Sequence, residues 1–73
     1  MKLSVVRVLS SSCRWAVKAE SDSGEIRYRG FYYNKDAHYD LGEWKVSGVD
    51  QRNFKHNFFT AETLRVVEGR KNK

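Results

Sequence analysis

Apolar and polar side chains alternate with a period of two in three short stretches, residues 15–19, 26–33 and 44–49. Strict alternation over five or more residues is typical of a strand with one face on a core and the other in water. A fourth stretch, residues 3–9, is rich in valine and leucine and is also strand-like. The chain contains no proline, so no stretch is barred from a hydrogen-bonded ladder. The pattern therefore predicts a mainly β protein.

Clusters of small and polar residues separate these stretches and indicate the number of strands. They lie at residues 10–12, 21–24, 34–42 and 50–53. This spacing is close to the turn every 8–12 residues or so that is typical of a meander of short strands. A chain of 73 residues is long enough for one domain. We expect a small antiparallel sheet or an SH3-like barrel of about five strands over residues 1–69, and a frayed basic tail at residues 70–73.

The pattern of residues 60–69 is compatible with two local structures. In one, Thr60 caps a short helix whose apolar residues share a face and which a glycine ends. In the other, a tight turn at residues 60–62 leads into a strand that directs Leu64 and Val66 inward. A helix under about twelve residues needs tertiary support, which favours the strand. The alternative fold is α+β, with a four-stranded sheet and one C-terminal helix.

The chain lacks the residue groupings that catalysis or metal binding requires. Its one cysteine, Cys13, has no recognisable catalytic partners, and its histidines, His38 and His56, do not have the spacing of metal ligands. The five glycines are isolated from one another, so none forms a phosphate-binding loop. No apolar run approaches the ~18 residues of a membrane span. We therefore expect a cytoplasmic binding protein and not an enzyme, without cofactor, metal, small-molecule substrate or membrane partner.

The charge of the chain favours a polyanionic partner, since 14 Lys and Arg against 9 Asp and Glu give a net charge of +5. Between residues 27 and 35, three cations and four aromatic rings interleave. Arginine contacts phosphate, and exposed rings stack on unpaired bases. The candidate nucleic-acid or partner contacts are Arg27, Arg29, Phe31 and Tyr33, which would share one face of a strand, with Lys35 and the tail residues Arg70, Lys71 and Lys73. The alternative is that Ile26, Tyr28 and Tyr32 form core and the arginines a solvated face.

The second half of the chain resembles the closing half of WYL-type domains. The matching order is Trp44-Lys45-Val46, then Phe58-Phe59, then Leu64-Arg65-Val66-Val67. Lys45 and Val46 stand where that signature has tyrosine and leucine. WYL-type domains are SH3-like small barrels that sense nucleic-acid ligands. The resemblance implies a barrel-like order of strands.

The whole chain resembles the short RNA-polymerase-binding regulators of lytic Xanthomonas phages in its length, its basic charge and its opening sequence, MKLSVVRV. That resemblance implies a protein without enzymatic activity that binds host bacterial RNA polymerase near the RNA exit channel, through the amino-terminal region of the β′ subunit. Such a protein inhibits initiation at host promoters and promotes antitermination. It acts in the host cytoplasm with RNA or DNA nearby.

An unpaired edge strand at residues 3–8 offers one way to bind such a partner, because a segment of the polymerase could add to it as a further strand. The candidate partner-edge residues are Leu3, Val5 and Arg7. The alternative function is that of a stand-alone nucleic-acid-binding small β-barrel. That function predicts steeply salt-dependent binding to single strands.

Overall fold

An antiparallel meander forms the N-terminal part of the protein. The computed structural model describes residues 1–69, and the predicted basic tail lies outside them. The strands are β1 (Lys2–Leu9), β2 (Trp15–Glu20) and β3 (Ile26–Phe31). β2 is the central strand of the meander and pairs with β1 on one side and β3 on the other. The three strands predicted for this part of the chain are confirmed, with the last one ending at Phe31.

A helix follows where the sequence predicted first a loop and then a strand, and both of those predictions are wrong. Helix α1 (Asn34–Ser47) occupies all of the predicted loop and most of the predicted strand. The helical spacing of Ala37, Leu41 and Trp44 outweighs the alternating pattern in this segment. Their spacing of four and three residues places them on one helical face. That face packs on the sheet. Gly48 ends α1 with a φ of +82°, which glycine adopts without the strain that a side chain would add.

A second helix begins at the break predicted for residues 50–53. The carboxylate of Asp50 accepts a hydrogen bond from the Asn53 N–H at 2.8 Å and so caps the start of α2 (Gln51–Asn57). Phe54, in the middle of α2, is fully buried, and its ring lies 6.3 Å from that of Phe58. The predicted break is therefore a helix start, because its polar residues supply the cap and the exposed face.

The C-terminal segment joins the two edges of the sheet. Phe59 exchanges two main-chain hydrogen bonds with Tyr28 of β3, at 2.7 and 2.8 Å. The Thr60 hydroxyl then caps the one-turn helix α3 (Ala61–Leu64) by accepting a main-chain N–H at 3.2 Å. Strand β4 (Val67–Glu68) pairs antiparallel with the end of β1. The strand order is β3-β2-β1-β4, and the sheet curls into a half-barrel.

The fold is the α+β alternative. Of residues 1–69, 33% are in strands and 36% in helices, so the small antiparallel sheet of the mainly β expectation is present but shares the protein with helices. The C-terminal segment combines both structures that its sequence allowed, a capped helical turn and then a short strand. The larger helices lie before that segment, between β3 and α3.

The sheet separates two hydrophobic cores. The core on the helix side, which includes the rings that α1 and α2 bring to the sheet, contains Val17, Ala19, Ala37, Phe54 and Phe58. The core on the other side, under α3 and β4, contains Val8, Cys13, Ala16, Tyr28 and Val66. Both faces of the meander are therefore occupied, which leaves its ends and its edges to contact other molecules. Within residues 1–69, no helix has the length and hydrophobicity needed to cross a membrane.

Candidate nucleic-acid and partner interfaces

The predicted contact residues of β3 share one face, and that face packs against the helices. Arg27, Arg29 and Phe31 alternate along the strand and are all half-buried. Tyr33, predicted to continue this face, lies beyond the strand at the N-cap position of α1, and Lys35 lies exposed in the first turn of that helix. The structure therefore divides the five predicted residues into three that pack against helices and two at the exposed start of α1.

The guanidinium of Arg29 holds β3 to both helices. Its Nε donates to Asp40 Oδ2 of α1 at 2.9 Å, and its Nη1 donates to the Asn57 carbonyl of α2, also at 2.9 Å. Its central carbon lies 5.5 Å from the centre of the Trp44 ring and 5.9 Å from that of Phe58. Both the charge and the planar group of Arg29 are thus engaged within the fold.

Arg27 binds the C-terminal end of α2. Its Nη1 donates to the carbonyls of Lys55 and Phe58, at 3.3 and 3.2 Å, and its Nε pairs with Glu25 at 2.9 Å. The last carbonyls of a helix have no partner within the helix and carry partial negative charge, so a cation is favourable there. Arg27, like Arg29, has a structural role that accounts for its position.

The division into core and solvated residues expected along this stretch is also different in the structure. Tyr28 is buried, as expected, but Ile26 is 36% exposed and Tyr32 is 51% exposed. The arginines lie on the covered face and Ile26 on the more open one. The aliphatic stem of each arginine packs on aromatic rings, and its charged head bonds to the helices. A strict division of residues into apolar and charged does not predict this arrangement.

Two further arginine–aromatic contacts, Arg7 with Trp15 and Arg14 with Tyr32, lie at the end of the meander where β3 terminates. We call Arg7, Arg14, Trp15, Tyr32 and Tyr33 the sheet-end cluster. The Arg7 guanidinium lies 5.6 Å from the Trp15 ring, and that of Arg14 lies 5.3 Å from the Tyr32 ring. The Tyr32 and Tyr33 rings are perpendicular at 5.0 Å. Within residues 1–69, neither arginine has a carboxylate within 4.0 Å. Both guanidinium groups are exposed and lie beside aromatic rings.

Only part of this cluster was predicted as nucleic-acid contacts. Tyr33 belongs to the predicted set and Arg7 to the predicted partner edge, whereas Arg14 and Trp15 belong to neither and Tyr32 was considered for the core. The sequence contains no signal for Tyr32 and Arg14, because both lie just outside strands whose ends the alternation does not mark. Residues beyond a strand end are not bound by the alternation of its faces.

The predicted partner edge is open along part of β1. The Val8 N–H donates to the Arg14 carbonyl on the β2 side, so alternate residues such as Leu3 and Val5 direct their main-chain groups to the other side. There, within the described part of the chain, β4 pairs only with the last two residues of β1. The Arg7 carbonyl accepts the Gly69 N–H at 2.7 Å. The main-chain groups of Leu3 and Val5 therefore face an edge that no described strand covers.

A hollow lies on each face of the sheet beside this open edge. The hollow on the helix side has a volume of about 290 Å³ and is lined by Met1, Leu3, Trp44, Lys45, Gly48 and Val49. The hollow on the other side has a volume of about 310 Å³ and is lined by Lys2, Leu3, Ser4, Lys18 and Glu20. Both expose polar and apolar surface in similar amounts, and they differ in the residue types that line them. Because side chains of a strand point alternately to its two faces, a strand added at this edge would direct neighbouring side chains into different hollows.

Tyr28 is the one described residue with a clear shift in acidity. Burial raises the pKa of its hydroxyl above the ordinary value of 10.0, and the negative charge of Glu68 raises it further against the opposing effect of Lys18. Lys18 and Glu68 form an ion pair at 3.2 Å that also ties β4 to β2. Cys13 is buried. Within residues 1–69, no three His, Cys, Asp or Glu side chains form a group that could hold a metal ion.

The remaining predicted contacts, Arg70, Lys71 and Lys73, lie outside the described residues. Comparison of the chain with protein-family models, with curated proteins and with solved structures gives no match.

Proposed function

We propose that this protein is a transcription regulator that binds host bacterial RNA polymerase through the open edge of β1. In this proposal it inhibits initiation and promotes antitermination from a position near the RNA exit channel, in the host cytoplasm, and has no enzymatic activity. The observation that carries the proposal is the edge itself, where Leu3 and Val5 direct main-chain groups outward between two hollows. The amino-terminal region of the β′ subunit is the proposed partner, as the resemblance to phage regulators implies.

Addition of a strand accounts for both affinity and selectivity at this edge. An incoming extended segment bonds to the outward N–H and C=O groups, which any sequence could satisfy. The hollows then act on its side chains, because the one on the helix side presents Trp44 and Val49 and the other presents Lys2 and Glu20. Exposed sheet edges promote aggregation because they can pair with other chains. An open edge flanked by two hollows therefore favours a role in binding.

The first experiment is affinity capture from bacterial lysate that has been treated with nuclease. A contact made through protein surfaces survives this treatment, so polymerase should be recovered and identified by mass spectrometry. Loss of all polymerase after nuclease treatment would contradict direct binding to the enzyme.

A chemically synthesised variant tests the edge, since a chain of 73 residues is accessible to synthesis. N-methylation of the Val5 amide removes one outward donor and blocks a neighbouring strand, while the side chain stays as it is. Recovery of polymerase should fall by about tenfold or more, because the ladder cannot form past the methyl group. N-methylation of Asp22, in an exposed turn, is the matched control. Equal recovery by the two variants, both folded by circular dichroism, would exclude this edge.

The second candidate is a stand-alone nucleic-acid-binding module, which the exposed sheet-end cluster favours. Arginine beside aromatic rings is a common composition of surfaces that bind single strands. The nuclease experiment separates the two functions, because only a protein–protein contact keeps polymerase bound once RNA and DNA are digested.

A further inference from the structure

The sheet-end cluster differs from the other arginine–aromatic contacts of the protein in what its arginines bond to. Arg29 lies beside rings but also binds Asp40, and Arg27 binds Glu25 and helix carbonyls. Arg7 and Arg14 lie beside rings alone, and within residues 1–69 their guanidinium N–H groups make no hydrogen bond or ion pair. Each guanidinium thus retains donors in the geometry that matches a phosphate.

The aromatic members offer open ring surface. Tyr32 and Tyr33 are 51% and 58% exposed, well above what a packing role requires. The two rings contact each other edge to face, and more than half of each side chain remains open to a flat group that stacks on it. Lys35, in the first turn of α1 and two residues after Tyr33, is an exposed cation.

A hollow whose lining includes Cys13 and Phe31, the chain neighbours of Arg14 and Tyr32, supplies hydrogen-bonding groups. It has a volume of about 290 Å³ and is lined by Ser12, Cys13, Arg29, Gly30, Phe31, Phe59 and Leu64. Tyr28 directs its main-chain groups to the outer edge of β3, where they bond to Phe59, so Gly30, two residues on, directs its own groups to the same edge. Within the described residues these Gly30 groups have no strand partner. A donor and an acceptor beside aromatic walls match the polar edge of a nucleobase.

We infer that the sheet-end cluster binds single-stranded nucleic acid, with bases stacked on Tyr32 and Tyr33 and phosphates on Arg7 and Arg14. A duplex is a poor fit because its base faces are stacked on one another and cannot reach the rings. An acidic peptide could pair with the cations and with the Gly30 main-chain groups, but it would leave the faces of Tyr32 and Tyr33 without a flat group to stack on them. The identity of the nucleic acid rests on the proposed function, because a regulator bound near the RNA exit channel would have the transcript beside it.

The test is direct binding of purified protein to a fluorescent oligouridylate, followed by anisotropy across a series of salt concentrations. Tyr32→Ala should weaken binding by about fivefold to a hundredfold, the range for loss of one base stack. Tyr39→Ala removes another exposed tyrosine, 73% exposed on α1, and should leave affinity within about twofold of the parent. Tyr32→Phe keeps the stacking surface and should bind like the parent.

A second pair of variants tests the arginines. Arg14→Gln should lower the slope of log affinity against log salt by about 0.7, the loss of one phosphate contact to a single strand. Arg52→Gln removes the same charge from the exposed face of α2 and should leave the slope unchanged. Equal effects of Tyr32→Ala and Tyr39→Ala, equal slopes for both arginine variants, or no binding at low salt would each overturn the inference.

Failure of this inference is distinguishable from failure of the proposed function. Polymerase captured after nuclease treatment by a protein that does not bind oligouridylate would overturn the site and leave the regulator proposal standing. Oligouridylate bound at the cluster by a protein that captures no polymerase would support the site and leave the stand-alone nucleic-acid module as the function.

Discussion

Replacement of Arg29 by methionine tests whether this arginine stabilises the fold or serves a ligand. The substitution keeps an aliphatic stem against the rings and removes every bond to Asp40 and Asn57. The Arg29 side chain is 29% exposed and the Asp40 side chain 16% exposed, so water reaches the pair only in part. A hydrogen bond to a charged group contributes about 1.5–3 kcal/mol, and breaking a fully buried pair costs about 3–5 kcal/mol. We therefore expect a loss of about 2–3 kcal/mol in the free energy of unfolding.

Urea denaturation followed by tryptophan fluorescence measures this loss. A domain of this size has about 4–11 kcal/mol of stability, so the variant should still be folded, with a melting temperature lowered by about 10–20 °C. In a double-mutant cycle with Asp40→Asn, the coupling energy should be at least about 1 kcal/mol. Arg52→Met, at an exposed position of α2, is the control.

The reasoning fails if Arg29→Met costs less than about 0.5 kcal/mol, the value of an ordinary exposed ion pair. Such a variant with weakened binding to oligouridylate would restore Arg29 as a nucleic-acid contact.

Three further predictions concern stability, each measured by urea denaturation. Gly30→Ala should cost about 1–3 kcal/mol of stability because the new Cβ would lie 3.0 Å from the sulfur of Cys13. Gly42→Ala, where an added Cβ meets nothing within 4 Å, should instead stabilise α1 by about 0.5–1 kcal/mol. A loss of stability at both sites would contradict the packing described. Stability should fall as pH rises above 10.0, since the folded chain retains the Tyr28 proton that the unfolded chain releases, and Tyr28→Phe should lack this part of the decline; an identical pH profile would refute it. Asp50→Ala should cost about 0.5–2 kcal/mol through loss of the α2 cap, and Asp50→Asn, which keeps a capping oxygen, should recover most of it.

The meander could be predicted from the sequence because β2 and β3 alternate, β1 is rich in valine and leucine, and the turns are marked. Residues 44–49 alternate just as clearly, yet residues 44–47 belong to α1 and Gly48 ends it. Trp44 is at once part of that alternation and part of the helical series with Ala37 and Leu41, and six residues are too few to separate the two periods. Val46, a β-branched residue in the alternating series, is 90% exposed on the helix. Tertiary packing of the helical series outweighs the strand preference of one valine.

The candidate sites could be predicted only where local sequence defines them. The open edge at Leu3 and Val5 depends on the place of β1 in the sheet, and the sequence indicates only that residues 3–9 form a strand. The role of Arg29 depends on Asp40, in a segment predicted as loop, and on the end of α2. No local pattern reveals that an arginine in a basic, aromatic stretch will bond to two helices later in the chain. The positions of Tyr32 and Arg14 outside their strands were recognisable only once the strand ends were known.

The short pairing of β4 with β1 has a consequence for amide hydrogen exchange. β4 is attached to β1 through two register pairs and the Gly69 bond, and to β2 through the Lys18–Glu68 ion pair. A segment with so few attachments should detach more often than the whole domain unfolds, and its amides should exchange early. Each detachment also frees the main-chain groups of Arg7 and Leu9, which extends the acceptor edge along the whole of β1. A partner that captured this state would replace a two-residue strand with a longer one.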